Sequence, residues 1–278
     1  MIRILTDTGS DIPYLHASES GVEIVELDVK FDEFSYDYRN DPDFRMFYEN
    51  LTKTKGMPST SQVNPSQYLD VFNDVKEKGD EMVVVTLSGG ISGTYSSAIM
   101  AQKECAYDGI TVVDSRHATC SQHLLVDEAV RLRDEGKSRD EIGKVLTELR
   151  ERVRLLTCVE TLEYLKKGGR VPPAMALIGG MLKIKPIVGM KDGVVTAFHK
   201  VRGFQAAIHS IMDMFVKEGY DESYPIYFGH TNNEERGRAF MEETQKKYNL
   251  KDVRLTPVGC VIGTHAGPDA VAIGYAFK

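Results

Sequence analysis

Short β-branched runs alternate with longer amphipathic stretches through the first half of the chain. Residues 2–5 (IRIL) read as a first strand and residues 22–29 (VEIVELDV) as a second. Residues 32–43 are polar and aromatic and read as a loop; residues 44–55 carry the spacing of an amphipathic helix. Asn64, Pro65 and Gln67 form a helix start, with a cap, a first-turn proline and a side chain three residues on. That helix runs to Lys78, where Gly79 ends it. Residues 82–87 (MVVVTL) predict a buried strand, 92–104 a helix, 110–113 a strand and 121–135 a helix. Ser138 and Glu141 have capping-box spacing and open one more helix.

Repeated strand–helix alternation implies a mostly parallel sheet covered by helices. Right-handed crossovers bring the strand ends to one edge, where open α/β sheets bind ligands. Polar turns fall at those ends: TDTGSD at 6–11, SGGISGT at 88–94 and Asp114-Ser115. The second half changes character. Residues 155–159 predict a strand, 162–167 a short helix before Gly168-Gly169, and Pro172-Pro173 start an apolar helix to about residue 181. Residues 183–190 and 194–200 flank Asp192-Gly193, a hairpin turn. A helix over 204–218, a strand over 225–229, a helix over 233–248 and strands over 253–257 and 270–277 complete the pattern. The expected class is α/β: an N-terminal, mostly parallel sheet with flanking helices, then an α+β part with antiparallel strands. The division falls near residue 155, giving units 1–155 and 156–278.

Composition narrows the possibilities. The chain has 278 residues, 42% apolar and 27% charged, enough to bury a sizeable core. A formal net charge of −7 argues against a general nucleic-acid binder. Cys105, Cys120, Cys158 and Cys260 form no C-x-x-C pair and read as free thiols of a reducing compartment. The opening residues lack the basic and long apolar regions of a signal peptide, and no stretch approaches the roughly 18 apolar residues of a membrane span. A cytoplasmic protein is the expectation.

Three segments carry candidate chemistry. At SGGISGT a strand runs through a glycine-rich turn into a helix, which suits either an anion at the helix N-terminus or a tight turn capped by Ser92. The phosphate-loop lysine is missing, and the glycine after Ser92 is one residue too early for a nucleophile elbow. Thr60 and Ser61 in PSTSQ offer two donors before a helix or ordinary turn hydroxyls. Asp114, Ser115 and His117 lie too close in sequence to align as a triad and read as a polar turn. His265 sits in a glycine-bracketed loop, GTHAGP, where its imidazole can donate to a carboxylate or be incidental; no partner at ligand spacing suggests a metal. Basic clusters at Lys166-Lys167-Gly168-Gly169-Arg170 and Lys200-Val201-Arg202-Gly203 fit solvated helix ends or an anionic or protein partner.

Eight segments, in order, resemble the DegV family: TDTGSDI at 6–12, TSQ at 60–62, LSGGISGTY at 87–95, VDS at 113–115, LEYLKKGGR at 162–170, IKP at 184–186, KVRG at 200–203 and IGTHAGP at 262–268. The family often has serine at the positions of Thr8 and Gly89; the first departure keeps a hydroxyl and the second loosens the turn. The resemblance implies a two-domain protein that is not an enzyme itself. It implies that the protein holds one long-chain fatty acid and presents it to an ATP-dependent kinase subunit, which makes an acyl phosphate for phospholipid synthesis. Carried over by motif, the carboxylate contacts fall on Thr60, Ser61, Ser92 and His265, with Gly93 and Thr94 beside them. Arg170 and Arg202 fall on the partner or phosphate side. Ile91, Ile178, Leu182, Ile184, Phe204 and Ile262 are the expected lining of an acyl tunnel. No cofactor or metal is implied. The competing readings are an acyl hydrolase or transferase using Ser92 or Ser115, and a regulatory module for a small anionic ligand.

Overall fold

A computed structural model describes residues 1–31, 34–35, 44–53, 56–170 and 184–278. The expected helix after Pro172-Pro173, most of the expected loop at 32–43, and tunnel positions Ile178 and Leu182 lie outside the described residues.

The first half builds a four-stranded parallel sheet from β1 (Ile2–Asp7), β2 (Val22–Val25), β6 (Glu81–Thr86) and β7 (Ile110–Asp114), in the order β2-β1-β6-β7. Its central strand explains its own composition: Met82, Val83, Val84 and Val85 are all fully buried, as a strand covered on both faces requires. The helices are α1 (Tyr14–Ser20), α2 (Arg45–Lys53), α3 (Pro65–Lys78), α4 (Thr94–Cys105), α5 (Thr119–Asp134) and α6 (Arg139–Leu149). Local signals set several ends. Gln67 accepts from the Asn64 backbone N–H at 2.9 Å, and Gly79 closes α3 with φ 67°. Ser138 and Glu141 form the reciprocal box on α6. A small antiparallel sheet, β4-β3-β5, sits to one side, from β3 (Val29–Phe31), β4 (Phe34–Ser35) and β5 (Ser59–Thr60).

The expected strand over 22–29 is therefore two strands in two sheets. The break lies at Leu27, whose backbone N–H donates to the Thr8 hydroxyl at 3.0 Å instead of continuing the ladder of β2.

The second half forms a six-stranded mixed sheet in the order β10-β9-β8-β13-β11-β12. Its strands are β8 (Val153–Cys158), β9 (Ile184–Lys191), β10 (Val194–Arg202), β11 (Ile226–His230), β12 (Val253–Pro257) and β13 (Val271–Ala276). All its pairings are antiparallel except β11–β12. Its helices are α7 (Glu163–Lys167), α8 (Phe204–Glu218), α9 (Glu234–Tyr248) and α10 (Cys260–Ala266). The fold is α/β, with a parallel sheet flanked by helices followed by this mixed sheet.

Helix α10 replaces the expected glycine-bracketed loop. Gly263 is not a turn residue: a Cβ there would overlap the Tyr48 hydroxyl of α2, so glycine permits close helix packing. Gly267, at φ 74°, is the residue that ends the helix.

Helix α5 joins the two large sheets, touching β1 and β6 on one side and β8, β11 and β13 on the other. Gly229 and Gly274 leave the mixed sheet bare where α5 begins; a Cβ on either would come within 2.9 Å of Cys120. The far face of that sheet packs Leu156, Ile187, Phe228 and Ile273 against Ile211 and Phe215 of α8 and Phe240 of α9. Cys105, Cys120, Cys158 and Cys260 are all buried, and none is joined in a disulfide. Among the described residues no helix is long and apolar enough to cross a membrane.

Candidate ligand-binding site

The motif at the end of β1 lies beneath the site. Asp7 is fully buried, and its carboxylate accepts from Leu87 N at 2.7 Å, Gly9 N at 2.9 Å and Gln122 Nε2 at 3.3 Å. Burial pushes its pKa up to about 6, against the pull of these donors. The bond to Leu87 ties the glycine-rich turn to β1. Asp114 ties it to β7, accepting from Gly89 N at 3.1 Å. Ser88 holds its other side: its hydroxyl donates to Gly193 O at 2.6 Å, at the tip of the β9–β10 hairpin. The turn is thus fixed at three points before α4 begins.

On this base, polar groups from distant parts of the chain line a cavity of about 410 Å³, within the usual range of ligand pockets. Thr60, Ser61 and Gln62 come from β5 and its exit, Ser92 and Gly93 from the turn, His265 from α10, and Arg170 from the segment after α7. His265 Nε2 lies 3.0 Å from Thr60 Oγ1. Burial, reinforced by the Arg170 charge, holds the His265 pKa down to about 4, so the ring is neutral at pH 7. Arg170 donates to Ile91 O at 3.1 Å and to Gly168 O at 2.6 Å. It is the one charged side chain among the described lining residues. A guanidinium thus stands among the neutral donors of this lining.

The remaining lining is mostly apolar. Ile91 and Ile262 border the cavity near the polar wall. Beyond them the near face of the mixed sheet contributes Leu155, Val188, Met190, Val195 and Ala272. The strand period separates the faces: on β8, Leu155 and Thr157 line the cavity while Leu156 and Cys158 pack beneath α8.

Three of the expected ligand or tunnel residues, Phe204, Ile184 and Thr94, do not border this cavity, nor does Arg202, which was expected on the partner or phosphate side. Phe204 opens α8 on the far face of the sheet, with the Arg236 guanidinium 4.2 Å from its ring centroid, because the whole helix packs on that side. Ile184 begins β9 opposite Arg202, at the end of the ladder away from the hairpin tip, and neither borders the cavity. Arg202 is exposed. Thr94 is fully buried behind the wall, its hydroxyl 2.9 Å from Ser92 Oγ and accepting from Val63 N at 3.4 Å. It supports Ser92 and does not line the cavity.

Gln62, Thr119, Thr157 and Thr231 line the cavity and were not read as site residues. Gln62 had a visible signal in its place beside Thr60 and Ser61. Gly93 has no side chain because a Cβ there would collide with Gln62. Thr119 shows its constraint only in three dimensions: a β-branched residue at φ 48°, in a region such residues seldom enter.

The hydroxyls considered as nucleophiles have other bonds. Ser92 pairs with Thr94. Ser115 donates to His117 O at 3.1 Å, while the His117 ring faces Arg150 O at 2.9 Å. His117 is buried, with its pKa held down to about 4.

The whole chain, residues 1–278, matches the family profile described as "Uncharacterised protein, DegV family". It is 34% identical over 278 residues to a DegV domain-containing protein of Caldanaerobacter subterraneus subsp. tengcongensis, covering 100% of this chain and 99% of that one. The fold is similar to a stearic acid-binding protein of Eubacterium ventriosum, with TM-score 0.91, 29% identity and coverage of 100% and 99% of the two chains. It is also similar to DegV, a fatty acid binding protein of Bacillus subtilis, with TM-score 0.85, 32% identity and coverage of 100% and 99%.

Proposed function

The chain belongs to the DegV family, and from that premise we propose that it binds one long-chain fatty acid, with the carboxylate held by Thr60, Ser61, Ser92 and His265. One observation carries the reading: these four side chains line one cavity, Thr60 and His265 within 3.0 Å of each other, and the rest of its lining is mostly apolar. The division of labour follows from magnitudes. A dozen buried methylenes are worth on the order of 10 kcal/mol at about 0.8 each. Association and ordering subtract several kcal/mol. The tail therefore supplies affinity and the polar wall supplies orientation. If the neutral His265 ring donates from Nε2 to Thr60, the threonine proton remains free for the guest carboxylate.

The bound acid is presented to a partner kinase. There a carboxylate oxygen attacks the γ-phosphorus of ATP, the bond to the β-phosphate oxygen breaks, and acyl phosphate and ADP result. The family resemblance supports this step. Arg170 adds to it as a cation at the cavity, with no carboxylate partner among the described residues, that can meet the head group as well as a second anion.

The test is denaturing extraction of the purified protein followed by mass spectrometry, with fatty-acid titration of the delipidated chain. About one long-chain fatty acid per molecule is expected. Ser92→Ala combined with Thr60→Val should weaken binding of the acid while leaving the matching fatty alcohol nearly unaffected. Absence of both co-purified lipid and titratable binding would sink the proposal. For the kinase step, loaded protein, ATP and an ATP-dependent kinase subunit should yield acyl phosphate; lipid binding without that product would leave the carrier reading standing alone.

A further inference from the structure

A separate cluster lies where α1, α5 and the β11–β12 edge meet. His123 and Asp127 stand four residues apart on α5 and share a face. His16 of α1 comes over the same face, its Nε2 3.0 Å from Asp127 Oδ1. His123 Nε2 lies 3.8 Å from that oxygen, and one ligand atom from each of the three residues falls within 4.8 Å of the others.

Two further features set this cluster apart from an ordinary ion pair. His123 is 3% exposed, and neither of its ring nitrogens has a hydrogen-bond partner. Buried imidazoles normally satisfy at least one nitrogen. The second Asp127 oxygen is held from behind by the Tyr227 hydroxyl and by Arg254 Nη1. Fixing a ligating carboxylate through its other oxygen is how outer-shell groups orient metal ligands. The His123 ring is itself packed on Tyr227, with centroids 4.5 Å apart.

We propose that His16, His123 and Asp127 form a binding site for a divalent transition-metal ion of the zinc class, clamping α1 to α5 beside the mixed sheet. Two imidazoles and a carboxylate are a zinc donor set, and tetrahedral coordination at about 2.0–2.1 Å spaces ligand atoms about 3.3 Å apart. The observed 3.0 and 3.8 Å reach that spacing by small side-chain rotations. The His16 side chain is 39% exposed, which leaves a path for the ion and a fourth position for water. Arg254 opposes a dication, which favours metals with strong imidazole affinity over magnesium or calcium.

The experiment is independent of lipid. The full chain is stripped with chelator, and zinc alone is titrated in competition with a chromogenic chelator; cobalt is then added for its visible spectrum. One zinc per chain is expected. His16→Ala and His123→Phe should each weaken it by at least about tenfold, the scale on which even outer-shell changes act, and abolish the cobalt bands. His209→Ala, which alters an exposed histidine paired with Glu243, should leave both unchanged. Phenylalanine keeps the ring that packs on Tyr227; if that variant misfolds, the exposed His16→Ala decides alone. A loss below tenfold in His16→Ala, or an equal loss in His209→Ala, overturns the assignment.

Discussion

Arg170 stands beside a histidine that its own charge helps keep neutral. Its guanidinium donates to two carbonyls, Ile91 O and Gly168 O, and a guanidinium has five N–H donors, so some remain for an anion. The first bond also fastens the segment after α7 to the glycine-rich turn. Arg170 thus has two parts in the proposed site: a charge for the head group and a brace between two of its loops. Arg170→Gln removes the charge and retains a donor. We expect fatty-acid affinity to fall by about 1.5–3 kcal/mol, roughly 10–150-fold, the scale of one hydrogen bond to a charged group. The matching alcohol should bind nearly as before. The His265 pKa should rise, because a repelling charge has gone. Titration calorimetry with the acid–alcohol pair and proton NMR of the imidazole check both parts. Equal losses for acid and alcohol would assign Arg170 to bracing alone.

At the scale of elements, the site depends on contact between a turn and a hairpin tip. Asp192 and Gly193 have φ of 52° and 79°, the two positive values of the tight turn that suits twisted strands. This brings Gly193 O against the Ser88 hydroxyl and so close to Gly90 that a Cβ there would strike the carbonyl. Gly90→Ala should therefore destabilise by about 1–3 kcal/mol through overpacking. It should also weaken lipid binding, since Met190 and Val195 of that hairpin line the cavity. Urea melts and fatty-acid titration of the same variant test this; unchanged stability would mean the tip lifts away without cost. The hairpin was legible from Asp192-Gly193, and the parallel strands from unbroken runs such as Met82 to Val85, because those constraints are local. The division between β2 and β3 was not, because it depends on Thr8 reaching Leu27. Helix α10 was hidden because Gly263 serves its packing against Tyr48, which no neighbouring residue reveals. Phe204 was misplaced for a related reason: an amphipathic helix shows that it has an apolar face but not which side of a sheet that face covers. Thr60, Ser61, Ser92 and His265 each had an ordinary local explanation; only the resemblance suggested that they act together.

For the whole molecule, buried ionisable groups set the response to acid. His117 and His265 have pKa values held down to about 4 and His123 to about 3, all chiefly by burial. In the unfolded chain they return to about 6.5. Between these values unfolding takes up protons, so their effect on stability is neutral above about pH 6.5 and increasingly unfavourable as pH falls towards 4. Asp7 acts in the opposite sense. Its folded value is about 6 against 3.8 in the unfolded state, so the folded molecule holds the extra proton in that window and acid favours folding. His230, lowered by burial, and His16, raised by Asp127, oppose each other. Three histidines against one aspartate leave about two protons taken up on unfolding near pH 5, a loss of roughly 2–3 kcal/mol per pH unit. Urea melts at pH 7, 5.5 and 4.5 should show stability falling with acid at about that slope. Asp7→Asn separates the contributions, since it removes the one large opposing group while keeping an acceptor for Leu87 N. Its slope should steepen by about one proton, roughly 1.4 kcal/mol per pH unit. A slope that stays the same would mean that Asp7 remains ionised in the folded protein across this range and that its hydrogen bonds outweigh its burial.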